Sequence, residues 1–74
     1  ANQNRPQDAL TTIDRALALE PEMADFHALR AFVLVDLRRS GDAVKASAEA
    51  LRIDPDSDLA LTARAAAFLS RQEW

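Results

Sequence analysis

Few residues in this chain could do chemistry, and each stands apart from the partners that chemistry would need. His27 is the single histidine, and there is no cysteine. A metal site draws several imidazole, thiolate or carboxylate ligands together at set spacings, so one histidine alone is a poor start. A nucleophilic triad would need His27 beside Ser40, Ser47, Ser57 or Ser70, and no nucleophile-elbow sequence surrounds any of them. A structural role for His27 is therefore expected. Gly41 is the only glycine, so no glycine-rich phosphate loop is available.

The acids of Asp54-Pro55-Asp56-Ser57-Asp58 have the first three ligand spacings of a calcium loop. Such a loop then needs glycine next and glutamate at its twelfth place. Those places hold Leu59 and Ala65, so the acids are expected to cap a helix N-terminus. Arg38-Arg39 is two cations at a helix end, where they complement the dipole. The net charge is −3 with both signs mixed and no basic face, which argues against nucleic acid as partner. Trp74 is read as packing on its neighbouring helices at the start of a turn, with a binding anchor as the competing role. The expectation is a chain with no catalytic residue, no cofactor and no metal.

The elements around these residues are helical. Of the 74 residues, 49% are hydrophobic, mostly Ala and Leu, and only four are aromatic: Phe26, Phe32, Phe68 and Trp74. Ala and Leu are strong helix formers, and β-branched residues are few. The longest apolar runs, Ala31 to Val35 and Ala65 to Leu69, fall far short of the roughly 20 residues that span a bilayer. The polar start, Ala1 to Pro6, carries no signal-peptide pattern. No membrane is expected, and a soluble, cytoplasmic setting is the default.

Pro6, Pro21, Pro55 and Gly41 punctuate the chain. Leu10, Ile13 and Leu17 recur at helical spacing in a first helix over about 5–20, with Asn4 as its cap. A second helix is expected from Ala24 to about Arg39, ended by Gly41, with Ser40 or Asp42 as cap or turn residue. A third runs from about Asp42 to Ile53. A fourth follows a cap at Asp56 or Ser57 and continues to about Gln72 or 73.

An offset of 34 residues carries Pro21 onto Pro55, Arg5 onto Arg39, Asp8 onto Asp42 and Ala9 onto Ala43. It also carries Ala16 onto Ala50, Leu17 onto Leu51, Arg30 onto Arg64 and Ala31 onto Ala65. These matches lie at helix-contact spacing. A helix-turn-helix period of 34 residues resembles the tetratricopeptide repeat, and the resemblance covers essentially the whole chain. Ala31 and Ala65 match the family's glycine slot, Leu34 and Phe68 its tyrosine slot, and Pro21 and Pro55 its closing proline. Arg15-Ala-Leu-Ala-Leu-Glu-Pro21 and Glu49-Ala-Leu-Arg-Ile-Asp-Pro55 look like the ends of two such repeats. The chain departs from the pattern at His27 and Leu61, where it has Trp, at Arg30 and Arg64, where it has Leu, and at Ser47.

The resemblance implies an all-α antiparallel helix-turn-helix array of four helices, a segment of an α–α superhelix. In its phase, residues 5–20 are the B helix of one repeat, 24–57 a full repeat and 58–73 the A helix of the next. It also implies a protein-protein interaction or scaffolding module that is not an enzyme. A helices of such arrays line a concave groove, here Asp25, Ala28, Leu29, Phe32, Val35 and Asp36, then Leu59, Thr62, Ala63, Ala66, Leu69 and Ser70. The Lys, Arg and Asn that clamp a peptide carboxylate in some members are absent from these positions. An apolar helix or peptide bearing a basic residue fits what remains, with Asp25, Leu29, Phe32, Val35, Asp36, Thr62 and Leu69 as the partner-binding set. A spacer, or an accessory domain of a larger enzyme, is the alternative. The end helices are expected to leave apolar faces open to self-association.

Overall fold

The computed structural model describes residues 5–71. The expected Asn4 cap, the last residues of the fourth helix and the role of Trp74 fall outside them. The described residues form four helices: α1 (Arg5–Leu19), α2 (Ala24–Asp36), α3 (Ser40–Ile53) and α4 (Asp58–Arg71). No strand occurs among them.

The packing order is that of an open array. α1 lies against α2 alone, α2 against α1, α3 and α4, and α3 against α2 and α4. A closed four-helix bundle would bring α1 onto α4, and those two do not meet. Each helix instead adds to one edge of its predecessors, giving a slab of 36 × 34 × 16 Å. This is a four-helix all-α arrangement of the helical-repeat kind.

Alanine makes such close stacking possible. Among the described residues ten apolar side chains are buried, and eight of them are alanines, from Ala28 and Ala31 in α2 to Ala67 in α4. Small side chains bring helix axes to the near end of the usual 8–10 Å range. Leu34 and Ser47 are the largest fully buried side chains. Ser47 fills the slot that Ile13 occupies one repeat earlier, and its hydroxyl donates to the Val44 carbonyl at 2.9 Å. A small residue suits this position because α3, unlike α1, is enclosed by helices on two sides.

The turn between α2 and α3 differs from the expected one. Gly41 does not break the chain: it lies inside the first turn of α3, and no glycine has a positive φ. The break is at Arg38, whose φ of 63° is left-handed. The Arg39 amide donates to the Leu34 carbonyl at 2.8 Å, and the Arg38 amide to Val35 at 3.0 Å. This bond pair is a Schellman motif, which satisfies the last carbonyls of α2. α2 therefore stops at Asp36, three residues before the expected end, and α3 begins at Ser40, two residues early. Ser40 is the first helical residue, and Arg39 is the cap without a side-chain cap bond.

The α3–α4 turn follows expectation. The Asp56 amide donates to the Asp54 carboxylate at 3.1 Å, an Asx turn, and the Ser57 hydroxyl accepts from the Ala60 amide at 3.1 Å. Of the two candidates, Ser57 is the cap.

Candidate functional site

His27 sits in the large-residue slot of α2. Its Nε2 lies 2.8 Å from the Pro21 carbonyl, which can only accept, so Nε2–H donates. The ring ties α2 to the preceding turn. Ser47 and Ser57, two of the four serines considered as nucleophiles, are held by backbone bonds of their own. Among the described residues no group of three or more His, Cys, Asp or Glu is placed to hold a metal ion. Of the acids after α3, Asp54 serves the turn and Asp58 lies in the first turn of α4, while the cap itself is Ser57 and not an acid.

The departures at Arg30 and Arg64 have different explanations. Arg30 Nε donates to Asp14 Oδ1 at 2.7 Å, joining α2 to α1. The 34-residue counterpart of Asp14 is Ala48, so Arg64 has no acid in the matching place. Its guanidinium instead stacks over the Phe68 ring, 5.0 Å from the centroid. Arg52 bridges further: its guanidinium bonds Glu49 on its own helix and Glu22 in the α1–α2 turn at 2.9 Å. The hydrogen bond from Arg52 holds the Glu49 carboxyl below its usual pKa. Both groups face solvent, so the bridge sets register more than it stabilises.

The concave positions divide into two groups. Val35, Asp36 and Arg38 at the end of α2 and Ala66, Leu69 and Ser70 of α4 line one open cleft of about 440 Å³. Val35, Asp36 and Leu69 of the expected partner-binding set meet there. Asp25, Leu29 and Thr62 are exposed but line no part of it, and Phe32 is half-buried against the core. Ala28 and Ala63 are fully buried, so they serve helix contact and not a groove. Arg38, which is not in the expected set, also lines the cleft, where the chain turns at its left-handed backbone. The sequence signal for it is an arginine directly before the α3 cap, a pattern that a solvated helix end shares.

Helix order and packing together define an open four-helix module of the helical-repeat kind, with one open cleft between α2 and α4. The comparisons bear on the same class. The chain is 48% identical over 48 residues to an inactive TPR repeat-containing thioredoxin, TTL3, of Arabidopsis thaliana. That match covers 65% of this chain and 7% of the plant protein, so the chain spans a small part of the relative it resembles. No family model matches the sequence, and no solved structure matches it. Among the described residues no helix is long and apolar enough to cross a membrane.

Proposed function

We propose that this chain is a protein-binding segment of a tetratricopeptide-repeat array, taking an apolar peptide or helix in the cleft between α2 and α4. The observation that carries the reading is the cleft, where Val35 and Leu69 offer apolar surface beside the Asp36 carboxylate. An apolar side chain fits between α2 and α4, and a cation beside it meets Asp36. Peptide recognition by helical surfaces works in this way, with apolar anchors for affinity and a charge for orientation. The repeat phase belongs to the proposal: α1 as the B helix of one repeat, α2 and α3 as a full repeat, and α4 as the next A helix. An accessory role beside other domains is the second reading. Its support is that the plant relative is a repeat-containing thioredoxin that this chain resembles over only a small part of its length.

The test uses two helical peptides with a leucine anchor, one carrying a lysine beside it and the other a glutamate. The lysine peptide is expected to shift the Val35 and Leu69 methyl resonances, and the glutamate peptide to bind more weakly. Asp36→Lys should reverse that order. Shifts confined to other helices, or an order that Asp36→Lys leaves unchanged, would remove the cleft from consideration.

A further inference from the structure

In the turn after α2, backbone conformation and residue type disagree. A Schellman motif puts the residue just past its helix in the left-handed region, which glycine enters freely and other residues enter at a cost. Here that residue is Arg38, with a φ of 63°, and among the described residues no other has a positive φ. Gly41 stands three residues later, in the first turn of α3, where an added Cβ would meet nothing within 4 Å. Glycine is thus absent where the backbone suits it and present where the fold does not require it. An arginine held against its backbone preference points to a task for its side chain.

The two arginines of this turn have different surroundings. The Arg39 guanidinium donates to Asp42 Oδ2 of α3, from Nη2 at 2.7 Å and from Nε at 3.1 Å. Arg38 is exposed and lines the cleft with Asp36, beside the apolar surface of Val35 and Leu69. Arg38 already has an interaction within the chain. A guanidinium carries five N–H donors in a fixed fork, so one such interaction leaves capacity for a second acceptor.

We infer that Arg38 determines the specificity of the cleft by receiving a side-chain carboxylate of the bound peptide or helix. The inference rests on the peptide-binding reading of the cleft. Guanidinium and carboxylate match as two forks, with parallel N–H···O bonds that fix geometry as well as charge. Asp36 takes a cation, Val35 and Leu69 take an apolar anchor, and Arg38 takes an anion. The occupant is therefore a segment in which a base and an acid flank an apolar side chain. A segment with the base alone leaves the guanidinium without this acceptor and binds less tightly.

Two helical peptides with amidated C-termini read the result. Each has a leucine anchor with a lysine one helical turn to one side. On the other side, at the same spacing, one carries glutamate and the other glutamine. Amidation leaves the glutamate side chain as the carboxylate under test. Affinities are taken from titrations followed at the Val35 and Leu69 methyl resonances. The glutamate peptide is expected to bind about fivefold more tightly, the size of one exposed ion pair. Arg38→Gly should bring the two peptides to the same affinity. It should also keep the helical circular dichroism, because the left-handed turn suits glycine, so the lost preference is not a loss of fold. Equal affinities for the unaltered chain would overturn the inference and leave the cleft reading standing. A preference for glutamate that survives Arg38→Gly would do the same. Peptides that leave Val35 and Leu69 unmoved would remove the cleft itself, and the inference with it.

Discussion

At the scale of single residues, a pair of alanines separates what a repeat pattern says from what a neighbour does. Ala31 and Ala65 occupy the same slot, yet one is sealed and the other faces solvent. Ala31→Leu is expected to overpack the α2–α3 contact and cost about 1–3 kcal/mol. Ala65→Leu, in a dilute monomer, should change stability by less than about 0.5 kcal/mol. Denaturant midpoints of the two variants check this, and equal losses would show that the slot is not what governs the cost. Arg38 makes a second case. Its left-handed backbone suits glycine, while its side chain makes contacts of its own. Comparing Arg38→Gly with Arg38→Ala removes the guanidinium from both and isolates the backbone. The glycine variant should be the more stable by about 1 kcal/mol. No difference in thermal or denaturant melts would show that the turn relaxes out of the left-handed region.

At the scale of elements, the helix starts are capped unequally. Ser57 caps α4 through its hydroxyl, whereas Met23 stands at the α2 cap with extended backbone and no side-chain bond. Ser57→Ala is expected to cost about 1 kcal/mol, and Met23→Asp to add a stabilisation of similar size. The readout is the exchange protection of amides in the first turns of α4 and α2. It should fall in one variant and rise in the other. The helix boundaries themselves were legible from Pro21 and Pro55, because proline cannot continue a helix. Gly41 was not legible in the same way. Glycine is tolerated in a first helical turn, and the break was supplied by an arginine whose conformation is settled by the Schellman bonds around it.

At the scale of the whole molecule, the open array makes stability uneven. α1 packs on α2 alone, while α2 has three helical neighbours. Local opening follows the number of buried contacts, so the lowest protection in native-state hydrogen exchange belongs to α1 and the highest to α2. Uniform protection across the four helices would mean that they unfold as one unit. The Arg30–Asp14 and Arg52–Glu22 bonds attach α1 and its following turn to the rest, but exposed ion pairs of this kind contribute at most about 1 kcal/mol. They do not make up for a missing packed face.

The amino-acid sequence by itself determined that the chain is helical, where the helices lie to within a few residues, and that they recur at 34. Those features follow from local propensity, proline and the spacing of small and apolar residues, all of which act within one or two turns. Identical residues at that spacing cannot say which copy is covered. Ala31 and Ala65 read alike, as do Ala9 and Ala43, and only the arrangement of α1 to α4 made one of each pair core and left the other more open. The same holds for the concave set. Asp25, Leu29 and Thr62 share a repeat phase with Val35, Asp36 and Leu69, but only the last three lie where α2 and α4 diverge around an open cleft. Burial is a property of neighbours, and neighbours are decided by how the helices stack.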